Sequence, residues 1–480
     1  MQSTSNQETI STNNSRESEL TAVLPEARCP ELRELVRQNT FSARSVPRQA
    51  QYVQYQKELC HNTTRTNRTK SCRADWVPPA LPEPSKDYQF DDITKEKYWH
   101  GHLPNRIIIQ LLQKDGDFLM LLREKRVVFE VNCGGDVYEQ VILQDPNKRY
   151  YIDTSALKFP NISTLTAYHF HTGTPLCPAV TTGQNANPAL KLLRPISIQA
   201  WQLEWHRCRV LNKIGQGKFG PCFKGFLRMT PEQVASGAAI TPNLPVAFKV
   251  SRKRLELDEN LTYIFCEASR WINFQHSNVL KFHGVVCTQE PVMLVYAYAA
   301  GGTLLATLKN KGIKPGERPR YAWQIAKGLE YLASQRCVHG NLCAHNCLLT
   351  NLGVIKLSDY STKKPTDQPS RKIKTNLRWQ APESLIVGAF TYQTDVWSFG
   401  VVLWEIYSGG KKPYEELPQD MEVQRKVITE NYRCRIPANT PPEVSSLMSR
   451  TWEAPENRPS IREIREQLNN ITQKTPARPY

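Results

Sequence analysis

The sequence of 480 residues predicts an α+β protein with two folded parts. The first is a compact module over residues 97–175; the second is a larger bilobed unit over 205–472, strands first and helices after. Three observations predict this. Near Tyr98 the composition shifts from Ser, Thr, Asn and Gln to a helical run followed by alternating strands. After Trp205, β-type segments flank a glycine-rich turn, and from Arg320 onward amphipathic helical stripes take over.

Residues 1–90 have little hydrophobic periodicity and read as disordered, with a short helix around Glu31–Val36 and an extended Pro-rich stretch at Val77–Pro84. Ile107, Ile108, Leu111 and Leu112 then mark one side of a helix from Asn105 to Leu112. A Gly116-Asp117 turn leads to strands at Phe118–Leu122, Val127–Val131 and Val137–Leu143, and a closing helix is expected near Asn161–His169. The segment 176–204 is polar and contains proline, so it reads as a linker, and 473–480 as a tail. Farther on, Ala322, Ile325, Leu329 and Leu332 share one stripe of a helix at Arg320–Gln335.

Composition narrows the setting. Hydrophobic residues make up 40% of the chain, yet no run reaches the roughly 18 apolar residues a membrane span needs. Pro291–Ala300 is better read as a buried strand. The start, Met-Gln-Ser-Thr-Ser, has no apolar stretch for a signal peptide, and Gln2 stands where myristoylation needs glycine. Thirteen scattered cysteines point to a reducing, cytoplasmic location, with the sequons at Asn62 and Asn67 unmodified. Cys60, His61 and Cys72 fit no zinc spacing. Of the net charge of +17, residues 201–480 carry +14, with 38 Lys+Arg against 24 Asp+Glu. That field suits acidic or phosphorylated peptides and leaves peripheral membrane contact open, or else it is a solvated basic surface; no nucleic-acid motif accompanies it.

The larger unit carries the chemistry. Gly215-Gln-Gly217-Lys-Phe-Gly220 lies between two β segments, where glycines let backbone N–H groups approach phosphates. Val246-Ala247-Phe248-Lys249 follows on an apolar strand, where an ammonium needs a partner, and Glu267 on the next helix is the expected one. His339-Gly340-Asn341-Leu342-Cys343-Ala344-His345-Asn346, Asp359-Tyr360-Ser361, Ala381-Pro382-Glu383, Asp395-Val396-Trp397-Ser398-Phe399-Gly400 and Arg458-Pro459 come in that order. Together these motifs resemble those of protein kinases over some 265 residues. Trp379 and Ala344 resemble the tyrosine-kinase branch, and the whole is similar to a short member of the Fer/Fes family, without room for that family's N-terminal F-BAR and coiled-coil region.

The resemblance implies ATP held by Ile214, Gly215, Gly217, Gly220, Cys222, Ala247, Lys249 and Asn346, and Mg²⁺ held by Asn346 and Asp359. Asp359 also has a plainer reading, as a turn-capping loop residue. The resemblance implies an ion pair between Arg458 and Glu383 as well. Tyr296 would gate the back of the pocket, and Ala297 stands in for a hinge acid. The departures concern a single task. Asn341 stands where the family has its catalytic aspartate, and an amide oxygen accepts a hydrogen bond but takes no proton. Gly340 and His345 replace two arginines, and Asn376 replaces a proline that shapes the substrate shelf. Residues 361–380 contain no tyrosine. Tyr360 and Ser361 replace Phe and Gly, which adds a hydroxyl to an apolar site.

In the smaller module, Tyr98-Trp99-His100-Gly101 and Gly116-Asp117-Phe118-Leu119 resemble the opening of SH2 domains. The arginine that such domains use for phosphotyrosine falls at Leu121 when read without gaps, or at Arg123 after a shift of two residues. Arg123 would face the same way, roughly 6–7 Å along the strand. Asn105 and Gln140 fall at other phosphotyrosine-contact positions, and the loop Glu124–Arg126 is short for a phosphate clamp. Three functions stay open at this level: an ATP-binding pseudokinase scaffold for signalling proteins, a weak but active tyrosine kinase, and an interaction protein without nucleotide.

Overall fold

A computed structural model of the chain describes residues 93–123, 126–152, 157–177, 189–217, 220–235, 241–251, 259–288, 291–360 and 376–474. The expectations for residues 1–90, for Ser361 and the stretch up to 375, and for the loop at 124–125 lie outside these residues. The chain divides into two compact units. One runs to Asp258 and adds Gly284–Val295, and the other is Glu259–His283 with Tyr296 onward.

The first unit opens with the small module. Strand β1 (Trp99–Gly101) precedes helix α1 (Asn105–Leu111), and then come β2 (Asp117–Arg123), β3 (Arg126–Cys133) and β4 (Asp136–Val141). A short hairpin, β5 (Leu143–Gln144) and β6 (Tyr150–Tyr151), leads to helix α2 (Ile162–Thr172). Asn161 caps α2 by accepting from the Thr164 N–H at 2.7 Å, and Gly173 closes it in the left-handed region. β2, β3 and β4 form antiparallel ladders as expected, with Phe118 opposite Val131 opposite Tyr138. Period-two alternation puts Phe118, Met120, Phe129 and Val131 into one core with Leu165 and Tyr168 of α2.

The described part of the expected linker, 176–204, is packed instead. β7 (Arg194–Pro195) pairs parallel to β2, and Leu176, Cys177, Leu190 and Leu192 join the module's core. Four apolar residues scattered in a polar stretch give no periodicity, so the sequence hid them.

The same unit continues into a six-stranded sheet. Its strands are β8 (Gln202–Leu203), β9 (Cys208–Gln216), β10 (Pro221–Arg228), β11 (Asn243–Val250), β12 (Phe282–Val286) and β13 (Met293–Ala297), in the spatial order β8-β12-β13-β11-β10-β9. A single-turn helix, α3 (Pro231–Ala235), lies between β10 and β11. Phe223, Val246, Phe248, Val250, Met293 and Val295 form its core, closed by Leu203 and Trp205. The module is fastened to this sheet. The His102 N–H donates to the Cys287 carbonyl at 2.8 Å. Buried His100 lies with Nδ1 2.9 Å from Gln202 Oε1 and Nε2 2.9 Å from the Ile196 carbonyl. Gly101, at φ +67°, has its Cα against the backbone of Cys287 and Thr288.

The second unit is mainly helical. After α4 (Glu259–Trp271) come β14 (Gly302–Thr303), α5 (Leu304–Asn310) and α6 (Arg318–Ser334), then a small sheet completed by β15 (Cys347–Leu349) and β16 (Ile355–Leu357). The remaining helices are α7 (Pro382–Val387), α8 (Tyr392–Ser408), α9 (Asp420–Thr429), α10 (Pro442–Thr451) and α11 (Ile461–Lys474). The stripe expected on α6 is buried: Ala322, Ile325, Leu329 and Leu332. α8 is apolar nearly all round and buried along almost its whole length, as a central helix must be. At Gly400 another element packs closely against it. An added Cβ would collide with Thr451 Oγ1 and come within 2.7 Å of Trp452 Nε1. Gly400→Ala is therefore expected to lower stability by about 1–3 kcal/mol in denaturant titrations, the usual cost of overpacking.

Candidate functional site

Within the first unit, the expected nucleotide residues gather on neighbouring strands. Cys222 pairs with Gly215 across β9–β10 and with Lys249 across β10–β11, and Lys224 pairs with Ala247. Alternation therefore turns Cys222, Ala247 and Lys249 to one face, and all three are half-exposed. Ile214 is 46% exposed, unusual for a large aliphatic residue on a strand. The Gly217 N–H donates to the Gly220 carbonyl at 2.9 Å and closes the hairpin. A Cβ at Gly215 would meet nothing within 4 Å, and one at Gly217 only the Gly220 carbonyl at 3.7 Å. Packing does not require these glycines. The space beside both positions is open, and a bare backbone there could admit a phosphate chain.

Within the second unit, α8 builds the loop 339–346. The Asp395 carboxylate accepts from the His339 N–H at 2.7 Å and from the Gly340 N–H at 2.8 Å. One helical stretch farther on, Glu405 accepts from the Ala344 N–H at 2.8 Å and from Trp379 Nε1 at 2.9 Å. Burial pushes the Glu405 carboxyl up to about 7, against the pull of these donors. Burial likewise lowers the His339 imidazole to about 4, so it is neutral and accepts at Nδ1 from the Asn341 N–H. Gly340 sits at φ +65°, where glycine is at ease.

Asn341 is held on both sides. Its carbonyl accepts from Asn346 Nδ2 at 2.7 Å, and its side-chain Oδ1 accepts from Asn376 Nδ2 at 2.9 Å. Asn376 adopts φ +46° and also points Nδ2 at Cys343 Sγ, 3.7 Å away. Two departures from the kinase pattern thus meet in a single hydrogen bond. Asn346 is buried; its amide nitrogen is spent on Asn341, which leaves Oδ1 as the free acceptor for a hard cation. The Ser358 N–H and Oγ both donate to the Asn346 carbonyl, at 2.9 and 2.8 Å, and so bring Asp359 beside it. Among the described residues, no cluster of three or more His, Cys, Asp or Glu could hold a metal by itself. Two oxygen donors that leave the remaining positions to phosphate and water fit Mg²⁺.

The hydroxyl of Tyr360 is accommodated. It donates to the Leu280 carbonyl at 3.2 Å, while the buried ring packs edge-on to Trp271, with Phe274 alongside. Tyr296 is buried against Phe282. Glu267 on α4 forms an ion pair with Arg270 one turn on. The expected Arg458–Glu383 pair is present and bidentate, at 2.5 and 3.0 Å.

In the small module, Leu121 is buried in β2 and closes the ungapped arginine position. Arg123 does share its face, and it is already engaged. Its Nε and Nη2 donate to Glu130 Oε1 at 3.1 and 3.0 Å, and Nη2 donates to Asn105 Oδ1 at 2.6 Å. Glu139 Oε2 lies 3.2 Å from Nε. Gln140 pairs with Phe129 in the ladder, on the opposite face. Sequence reasoning missed Glu130, Glu139 and Glu405. The available signal was an acid set within an apolar strand or helix, which calls for a buried partner.

The family model for protein tyrosine and serine/threonine kinases matches residues 208–468. With a β-sheet lobe followed by a helical lobe, the chain belongs to the protein tyrosine and serine/threonine kinase family. Its relatives within that family include the Fer and Fps kinases. Fer-related kinase 1 of Caenorhabditis elegans is 30% identical over 79% of this chain and 95% of that protein. The transforming protein Fps of avian sarcoma virus is 28% identical over 82% of this chain and 70% of its own length. Mouse Fer is 29% identical over 79% of this chain, which spans only 44% of Fer. No described helix is long and apolar enough to cross a membrane.

Proposed function

We propose that this chain is a Fer/Fps-like pseudokinase: it binds ATP with Mg²⁺ and acts through its conformation as a signalling scaffold or allosteric partner. The observation that carries this reading is the amide pair at the loop. The residue at the base position is Asn341, and its one side-chain acceptor already holds the Asn376 amide. A substrate hydroxyl therefore finds no group at this position that can take its proton, and the amide oxygen that faces it is already engaged by a second donor. Ile214, Gly215, Gly217, Gly220, Cys222, Ala247 and Lys249 would hold the nucleotide, and Asn346 and Asp359 the metal. When bound, Mg²⁺ would neutralise phosphate charge. Residues 97–175 would serve as an SH2-like domain and 205–472 as the kinase-fold domain. The setting would be cytoplasmic, the partners signalling proteins with acidic or phosphorylated segments, and nucleic acid would play no part.

A second reading, a weak but active tyrosine kinase, is favoured by the retained Asn346, Asp359 and glycine hairpin, because phosphoryl transfer rests mainly on positioning and electrostatics. Nucleotide binding is tested by melting. Millimolar Mg-ATP is expected to raise the Tm of the full chain by mass action, and Lys249→Met and Asp359→Asn should each reduce the shift. No shift in the wild type would leave only an interaction protein without nucleotide.

A further inference from the structure

Arg123 lies at the end of β2 with its guanidinium surrounded by the chain's own oxygens: Glu130 from β3, Glu139 from β4 and Asn105 from α1. Glu130 and Glu139 are directly opposite in the β3–β4 ladder, so two carboxylates converge on one cation. Glu130 is almost fully buried, and its neighbours on this face are apolar Leu119, Leu121 and Val128. Taking a carboxylate out of water at such a place is costly unless a cation is fixed beside it. Burial, with Glu139 adding to it, pushes the Glu130 carboxyl up to about 7 despite the pull of Arg123. The guanidinium thus faces two acids at once, Glu130 and Glu139, within the chain itself.

A planar guanidinium fork with bidentate acceptors is also the arrangement that recognises a phosphate monoester. We infer that Arg123 is the cationic half of a phosphate-monoester site that Glu130 and Glu139 occupy from within, so that the site is latent in the wild-type chain. The inference rests on the SH2-like reading of this module and goes beyond it by naming what closes the site. An incoming phosphate would have to displace both acids and would be repelled by them. Replacing both carboxylates by neutral amides leaves a partly exposed guanidinium with only uncharged acceptors around it, and an anion is then the favoured partner. Arg126, opposite Arg123 at the hairpin end, adds attraction.

Phenyl phosphate and phosphotyrosine, titrated into the full chain by calorimetry, provide the test, with Tm as the control for folding. Wild type is expected to show no saturable binding at millimolar ligand. Glu130→Gln/Glu139→Gln should gain at least about tenfold in affinity, the scale of one charge-assisted hydrogen bond, and adding Arg123→Ala should abolish the gain. If the double variant does not fold, Glu139→Gln alone, at the more exposed acid, should give a smaller gain that Arg123→Ala removes. A folded variant that binds no better than wild type overturns this inference and leaves the pseudokinase reading intact. Wild-type binding lost in Arg123→Ala overturns the inference and makes the module a phosphopeptide reader.

Discussion

Wild-type chain supplied with Mg-ATP and a tyrosine peptide is expected to transfer phosphate at least about 10²-fold more slowly than an active kinase, and Asn341→Asp alone to recover little. An aspartate placed there would still receive the Asn376 amide, which is fixed 2.9 Å from the present Oδ1. Gly340 and His345 would remain as well. Asn376→Gly removes the donor and suits the local backbone at φ +46°. The Asn341→Asp/Asn376→Gly double variant should therefore exceed Asn341→Asp in kcat, by a factor that Asn376→Gly alone does not produce. Steady-state transfer of the γ-phosphate measures all four proteins. Wild-type turnover of about 1–100 s⁻¹, the range of ordinary kinases, would end the pseudokinase reading. Equal rates for the single and double Asp variants would show that Asn376 does not occlude the site.

Gly101→Ala is expected to destabilise the first unit by about 2–5 kcal/mol. Roughly 1–2 kcal/mol comes from a side chain at positive φ, and about 1–3 kcal/mol from overpacking. The packing part arises because a Cβ there would run into the main chain of Cys287 and Thr288, which has little room to yield. Gly134 is the matched control: its φ is +64°, yet a Cβ there would meet nothing within 4 Å. Gly134→Ala should show the backbone cost alone. Chemical denaturation of both variants separates the two terms. If Gly101→Ala costs no more than Gly134→Ala, the module is not clamped to the six-stranded sheet through this glycine. If it costs more, unfolding of the module and the sheet should remain a single transition, and deleting residues 98–175 should destabilise the sheet.

Much of this architecture was legible from local pattern. The α6 stripe, the three ladder strands of the module and the Arg458–Glu383 pair follow from periodicity or from motif order, both of which survive in a single sequence. What escaped depends on contacts between distant segments. Leu190 and Leu192 are two residues apart in a polar stretch, and only the pairing of β7 with β2 reveals them as core. Whether Arg123 had become a working pocket was undecidable from β2 itself, because the answer lies in acids on β3 and β4. Asn376 and Asn341 could be read as two losses in one task; that these residues, 35 positions apart, are bonded to each other only the structure shows.

Asp395 and Glu405 grip the loop 339–346 through backbone N–H groups of His339, Gly340 and Ala344, and none of those three bonds depends on which side chain the loop carries. The loop's shape is thus inherited from the central helix, whereas its chemistry is inherited residue by residue. The reactive side chains of the loop can therefore be exchanged while these three bonds persist, so loss of transfer does not by itself dismantle the loop. Every variant so changed keeps the loop's shape, on which selection can act for other ends. Replacing Asp395 closes that route, because a single change there would release two main-chain donors into a buried site and expose the whole loop to unfolding.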